Sequence, residues 1–138
     1  MTFSVPIVVR GYELDTQGHL NQAVYLQYTE HARWELFRAG GVPQEKLIAG
    51  GIGPVVLETT IKYLRELRSG DEVTVSVDFE WSTGKTFRFR HEIRKLDETV
   101  AAEISTTAGL LDLTARKLVA APGERLATLA ERPDLLGL

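Results

Sequence analysis

One stretch of helical periodicity, followed by several stretches of strand periodicity, limits the folds open to this chain. Between residues 22 and 39, apolar side chains recur every three or four positions, as one buried face of a helix requires. These side chains are Tyr25, Tyr28, Ala32, Leu36 and Ala39. From residue 71 to 81, apolar and polar residues alternate, which is typical of a strand with one buried face. A long helix and a set of antiparallel strands predict an α+β fold, with the helix on one face of a sheet.

The other segments complete a predicted sheet of five strands. Those strands are expected at residues 5–10, 55–65, 71–81, 87–94 and 100–113, with short hairpin connections at 82–84 and 96–98. In the first hairpin, this spacing places Asp78 opposite Arg88. Weaker helical signals cover residues 43–49 and the segment from Pro122 onward. Without a repeat or a linker, residues 1–138 are expected to form one domain.

Composition excludes several classes of function. Sixteen Lys and Arg against nineteen Asp and Glu give a net charge of −3, which argues against a nucleic-acid-binding protein. The chain has no cysteine, so a disulfide scaffold, a zinc finger and a thiol nucleophile are excluded, and a cytoplasmic location is favoured. No apolar run approaches the ~20 residues of a membrane helix, and the first residues do not resemble a signal peptide. We therefore expect no nucleic-acid or membrane partner.

A polar loop before the predicted helix is the best candidate for chemistry. Asp15 lies in this loop, and Asn21 is placed to cap the helix N-terminus. The first N–H groups of the helix, at Gln22, Ala23 and Val24, are then expected to point at the loop with the positive end of the helix dipole behind them. Such donors could polarise an acyl carbonyl while the carboxylate attacks it or activates a water. This chemistry needs no metal and no cofactor.

Residues 12–28, YELDTQGHLNQAVYLQY, carry a family resemblance together with Glu30 and Ala32-Arg33. They resemble the N-terminal signature of the hotdog-fold acyl-CoA thioesterases of the 4-hydroxybenzoyl-CoA thioesterase type. Residues 61–64 and 69–73 are similar to that family's second strand and turn. The resemblance implies a five-stranded antiparallel sheet wrapped around one long helix, dimers joined at their sheet edges, and hydrolysis of acyl-CoA. Dimers or tetramers of dimers are therefore expected.

The resemblance also implies roles for residues of the loop. Asp15 is the expected catalytic nucleophile or general base. Gly18 allows a positive φ or a close backbone approach to substrate, and His19 either contacts substrate or bonds across the loop. At position 22, relatives commonly have Asn or His where this chain has Gln. The predicted substrate-binding residues in this segment are Gly18, His19, Asn21, Gln22, Ala23 and Tyr25, the last as core and pocket wall.

Two further groups complete the predicted site. Glu58 is the one acid in an otherwise uncharged strand, where a buried carboxylate would need a partner. It is either a second functional acid or an outward, solvated side chain. Coenzyme A carries phosphates, and the cations and hydroxyl best placed to bind them are Lys85, Thr86, Arg116 and Lys117.

Three other functions remain open from the sequence. The acyl group could be carried by an acyl carrier protein, an acidic partner that would need an exposed basic rim. A hotdog hydratase or dehydratase is disfavoured because Gly18-His19 follows Asp15 without the Asn-Pro of those enzymes. A non-catalytic acyl-CoA-binding module is the third possibility, but it would not explain the presence of Asp15 in the loop.

Overall fold

The long helix, α1, covers Val24–Ala39 and packs against an antiparallel sheet. The computed structural model describes residues 2–138. Its strands are β1 Phe3–Val8, β2 Ile52–Tyr63, β3 Glu72–Glu80, β4 Thr86–Lys95, β5 Val100–Asp112 and the short β6 Lys117–Leu118. The strand order is β1-β3-β4-β5-β2, with β6 paired to β5. Two short helices, α2 Gln44–Ala49 and α3 Pro122–Leu129, complete the chain's regular structure, and the α+β prediction is confirmed.

The buried face of α1 forms the centre of the core. Tyr25, Tyr28, Ala32 and Leu36 are buried as the periodicity predicts. The prediction for Ala39 was wrong, because this residue lies in the last helical turn and is exposed. The apolar residues of β3 and β4 cover this helix face. Successive side chains of a strand point to opposite sides of the sheet, so every second residue of these strands faces the helix.

Element boundaries differ from prediction mainly at the two ends of the first loop. The strand β1 ends at Val8, and α1 begins at Val24 instead of Gln22. Asn21 starts a turn before the helix, in which its carbonyl accepts the N–H of Val24 at 2.9 Å. The strand β6 was not predicted. No helix among residues 2–138 has both the length and the apolar character to cross a membrane.

In the β3–β4 hairpin, each β3 residue pairs with a β4 residue two positions later than predicted. Asp78 lies opposite Arg90, and Arg88 lies opposite Glu80. The turn is centred on Gly84, where the Ser82 hydroxyl donates to the Thr86 carbonyl at 2.7 Å. A turn centred on Gly84 moves every cross-strand pair, so the predicted pairing of Asp78 with Arg88 was wrong.

β2 is one edge of the sheet, and a bulge divides it. Val56 lies opposite Ala108 and Glu58 lies opposite Thr107, so Leu57 is an extra residue in the strand. The bulge turns Glu58 to the same side as Thr107, where it is exposed. The next residue of β5, Ala108, faces the other side of the sheet and is buried. The carboxylate of Glu58 is therefore hydrated and does not need a charged partner.

Candidate active site

The carboxylate of Asp15 organises the loop between β1 and α1. Its Oδ1 accepts the backbone N–H of Gln17 at 2.9 Å and that of His19 at 3.1 Å. These two hydrogen bonds, with that of His19 the larger effect, lower the pKa of Asp15 below its usual value of 3.8. The other oxygen, Oδ2, has no hydrogen-bond partner within residues 2–138. Asp15 is therefore an anion at neutral pH with one oxygen available to a substrate.

Gly18 gives the loop its shape. Its φ is +80°, in the region where side chains with a Cβ are strained, and no other atom lies near its missing Cβ. Of the two predicted reasons for a glycine, the positive φ is confirmed. The turn lets the N–H of Gly18 donate to the Asp15 carbonyl at 3.1 Å.

The segment that follows β2 holds the loop in place through side-chain and backbone contacts. Nε2 of His19 lies 2.7 Å from Oε2 of Glu66, and the N–H of Leu20 donates to the Leu67 carbonyl at 2.7 Å. The other carboxylate oxygen of Glu66 accepts from Arg68 at 2.8 Å. The side chain of His19 therefore bonds to the segment after β2 and not across its own loop, and His19 also lines a cavity with Asp15.

Glu13 holds the loop to the helix. Its Oε1 accepts the hydroxyl of Tyr28 at 2.6 Å and the N–H of Arg10 at 2.9 Å. Its backbone carbonyl accepts the N–H of Asn21 at 2.9 Å. Asp15 and the start of α1 are thus fixed relative to one another through one residue.

The start of α1 offers fewer free donors than predicted. The side chain of Asn21 accepts the N–H of Ala23 at 2.9 Å, and its carbonyl accepts that of Val24. Both N–H groups are therefore used, and the prediction that they are free was wrong. The N–H of Gln22 has no acceptor within residues 2–138. The carbonyl of Gln22 accepts the hydroxyl of Tyr63 at 3.0 Å, which holds this residue in place.

A cavity of about 270 Å³ brings these groups together. Its lining includes Asp15, His19, Gln22, Tyr25, Tyr63 and Glu66. The Tyr25 and Tyr63 rings meet edge to face, with centroids 5.0 Å apart. The cavity thus combines an ionised carboxylate with a free backbone donor at a helix start. This arrangement can bind an electrophilic carbonyl between a nucleophile or base and a polarising N–H.

The predicted CoA-binding residues lie elsewhere in the same chain. Thr86 pairs with Gly109, and Lys117 pairs with Asp112, at the far end of β5. Lys85 and Arg116 are exposed in the adjoining turns. The cavity lies at the other end, where Tyr63 pairs with Ala102. The seven residue-to-residue steps from Ala102 to Gly109 span about 23 Å of strand, so one chain does not bring the two groups together.

Three residues of the site were missed by sequence reasoning: Glu13, Tyr63 and Glu66. Glu66 and Tyr63 lie more than forty positions from the loop, and only tertiary structure brings them to it. Glu13 differs from these two, because Glu13 and its partner Tyr28 both lie within residues 12–28, the segment that carries the resemblance.

A family model described as the thioesterase-like superfamily matches residues 9–130. The chain belongs to this superfamily. The hotdog fold expected from residues 12–28 is confirmed for this thioesterase-like chain. The crystal structure of a hypothetical protein from Aquifex aeolicus superposes with a TM-score of 0.82 at 30% identity, over 92% of this chain and 98% of the other.

Two relatives have names that state an activity. The thioesterase-like chain is 36% identical over 92 residues to the acyl-acyl carrier protein thioesterase ATL3 of Arabidopsis thaliana, covering 67% of this chain and 48% of the relative. The chain therefore spans about half the length of that relative. It is 33% identical over 119 residues to the long-chain acyl-CoA thioesterase FadM of Escherichia coli, covering 86% of this chain and 89% of FadM.

Proposed function

We propose that this protein hydrolyses acyl-CoA thioesters to a free acid and CoA. The observation that carries the proposal is one cavity lined by both Asp15, whose carboxylate keeps one oxygen unbonded, and Gln22, whose N–H has no acceptor within residues 2–138. Membership of the thioesterase-like superfamily and the similarity to FadM support the reaction class. The narrower 4-hydroxybenzoyl-CoA type, and a cytoplasmic location, stay predictions.

The proposed mechanism uses groups of the chain alone. The thioester carbonyl accepts the N–H of Gln22, and this hydrogen bond strengthens as negative charge develops on the oxygen. Asp15 either attacks the carbonyl carbon or removes a proton from the attacking water. Collapse of the tetrahedral intermediate breaks the C–S bond and releases the CoA thiolate. In the general-base route, Asp15 returns its proton to the products. In the nucleophilic route, the collapse leaves an anhydride between the acyl group and Asp15, and water hydrolyses this anhydride to the free acid and the Asp15 carboxylate.

A homodimer through β2 is part of the proposal. Both sheet edges are unpaired within residues 2–138, but β1 has six residues and carries Pro6, which cannot donate to a ladder. β2 has twelve residues, with exposed apolar side chains at Val56 and Leu57. A long, apolar edge invites strand pairing, and two-fold closure is the default for identical chains. Two such dimers would give the expected tetramer.

Dimerisation through β2 also supports a CoA site shared between subunits. In an antiparallel pair of β2 strands, the Tyr63 end of one chain meets the Ile52 end of its partner. Ile52 pairs with Asp112, next to the end of β5 that carries Lys85, Thr86, Arg116 and Lys117. The partner's cations would then lie at the mouth of the Asp15 cavity. Glu58, near the middle of β2, would lie at the contact between the two strands.

Acyl carrier protein is the second candidate substrate carrier. The similarity to ATL3 favours it. Arg65 lies on the cavity rim and forms no ion pair within residues 2–138. A free cation next to the cavity would suit an acidic protein surface.

The proposal is tested by free-thiol release from acyl-CoA and acyl-acyl carrier protein substrates of different chain lengths. We expect the wild type to turn over a subset of the acyl-CoA panel, and Asp15→Asn to lose about 10²–10⁴-fold in kcat. Asn retains the oxygen that accepts the N–H groups of Gln17 and His19, so the loop should keep its shape. Turnover restricted to carrier-protein substrates would favour the second candidate, and no turnover of either would overturn thioester hydrolysis.

A further inference from the structure

We infer that the hydroxyl of Tyr25 is a second hydrogen-bond donor to the thioester carbonyl, so that the oxyanion is held by a side chain and a backbone group together. The inference rests on the proposed function and adds a catalytic residue to it. It assigns to Tyr25 a role beyond that of core residue and cavity wall.

The position of this hydroxyl follows from the hydrogen bonding of the buried polar atoms. Tyr25 is only 3% exposed, yet its hydroxyl has no hydrogen-bond partner within residues 2–138. No buried side-chain N or O atom in that part of the chain lacks a partner. The hydroxyl is therefore the exposed part of an otherwise buried side chain, and the cavity that Tyr25 lines is the opening available to it. A buried ring with a free polar tip is suited to donating to a bound ligand.

The hydroxyl is also kept in its donating form. Burial raises the pKa of Tyr25 above its usual value of 10, and the neighbouring Tyr63, Asp15 and Glu66 add to the effect. Asp15 and Tyr25 line the same cavity. Their side chains form no hydrogen bond with each other, which leaves both available to a reacting group.

The ring of Tyr25 is fixed before substrate binds. It packs edge to face on Tyr63, whose own hydroxyl donates to the carbonyl of Gln22. One interaction chain therefore positions both proposed donors, the Tyr25 hydroxyl and the Gln22 N–H. Donors that are positioned in advance need no reorganisation when charge develops, which is the condition for strong stabilisation of an oxyanion.

Tyr25→Phe tests the inference, because it removes only the oxygen atom. Tyr12→Phe is the matched control, since Tyr12 is 84% exposed and lies outside the cavity lining. We expect Tyr25→Phe to unfold at the wild-type temperature and to lose about 10²-fold in kcat, with KM raised by no more than about tenfold. The control should match the wild type in all three measurements.

Binding of two non-hydrolysable CoA analogues separates donation from packing. A ketone analogue keeps the carbonyl and replaces the sulfur by a methylene group, whereas a thioether analogue lacks the carbonyl. We expect Tyr25→Phe to weaken the ketone analogue by up to about tenfold and to leave the thioether analogue unchanged.

Three outcomes would overturn either the donor role of Tyr25 or the proposed function. Wild-type kcat in Tyr25→Phe would overturn the donor role. Equal weakening of both analogues would also overturn it, because the hydroxyl would then act through packing. Binding of both analogues by a wild type that hydrolyses no thioester would overturn the proposed function alone, since the contrast between analogues does not depend on turnover.

Discussion

The Nε2 atom of His19 lies 2.7 Å from Oε2 of Glu66, and this contact joins the Asp15 loop to the segment after β2. Both side chains are partly exposed, so the contact should contribute at most about 1 kcal/mol to folding stability. Its larger effect is on the position of the loop, because the N–H of His19 donates a hydrogen bond to the carboxylate of Asp15.

Glu66→Gln should therefore change activity more than stability. We expect a decrease in kcat of several-fold, well below that of Asp15→Asn, with an unchanged thermal midpoint. Glu45→Gln, on the exposed first turn of α2, is the matched control. A large loss of thermal stability in Glu66→Gln, measured by circular dichroism, would show that this contact supports the fold instead.

The two roles open to Asp15 differ in where oxygen from water goes. In a single turnover in ¹⁸O-labelled water, general-base catalysis should place the label in the released acid. Nucleophilic catalysis forms an anhydride, and hydrolysis at the Asp15 carbonyl would leave the label on the protein. A labelled peptide containing Asp15, detected by mass spectrometry, would show the nucleophilic route, with Asp15→Asn as the unlabelled control.

Gln22→Pro should remove the proposed backbone donor while keeping the turn. Gln22 is the second residue of the turn from Asn21 to Val24, a position that accepts proline, and its N–H bonds to nothing within residues 2–138. We expect a stability change of about 1 kcal/mol or less and a loss of about 10²–10³-fold in kcat. A folded Gln22→Pro variant with wild-type kcat would exclude this N–H as the donor.

Acid should weaken the fold through His91. This side chain is buried beside Arg33, with 3.4 Å between Nε2 and Nη1, while Nδ1 lies 2.9 Å from the Ser76 carbonyl. Burial, and then the charge of Arg33, lower the pKa of His91 to about 4 from 6.5. Between these values the unfolded chain binds the proton more tightly, so stability is highest above pH 6.5 and falls toward pH 4.

The loss should be about 3 kcal/mol, spread over this pH range. His91→Gln has no group that titrates there, so its stability should change less between pH 6.5 and 4 than that of the wild type. Urea unfolding at a series of pH values measures this difference. Parallel pH profiles for the two proteins would contradict the assignment to His91.

The β2 edge should hold the proposed dimer together. Leu57 is 49% exposed on this edge, and Leu57→Lys should shift the mass from twice 15.4 kDa, or a multiple of it, toward 15.4 kDa. Val8→Lys is the matched control, because Val8 is 48% exposed on β1, at the opposite edge of the sheet. Light scattering at micromolar concentration makes the comparison. A wild type of 15.4 kDa would overturn the dimer.

Features that depend on neighbouring residues were predictable from the sequence. The alternation around Val75 and the spacing of Tyr25 and Tyr28 gave the sheet and helix faces, because each pattern reflects burial along a single element. The loop of Asp15 and Gly18 could also be recognised locally. The capping role of Asn21 was predictable locally too and is confirmed, since its side chain accepts the N–H of Ala23 two residues on.

Features that depend on distant segments were not predictable in the same way. The contact of His19 with Glu66 joins residues 47 positions apart, and no single-element pattern contains it. The separation of Lys117 from Asp15 likewise follows from the pairing of β5 with β2 and β6. Composition identified the cations but held no information about which end of the sheet they occupy.

The extra residue at Leu57 changes the inward-facing positions of β2 from even-numbered to odd-numbered. Before the bulge, even-numbered residues such as Val56 lie opposite the buried Ala108, and after it odd-numbered residues such as Thr59 lie opposite the buried Thr106. Deleting Leu57 would leave Val56 opposite Ala108 and Glu58 opposite Thr107, so both halves of the strand would keep their present faces. The sheet therefore does not need the extra residue, whereas the proposed dimer contact uses its apolar side chain. Relatives that do not pair through this edge are expected to lack the bulge without any change in the buried side of β2.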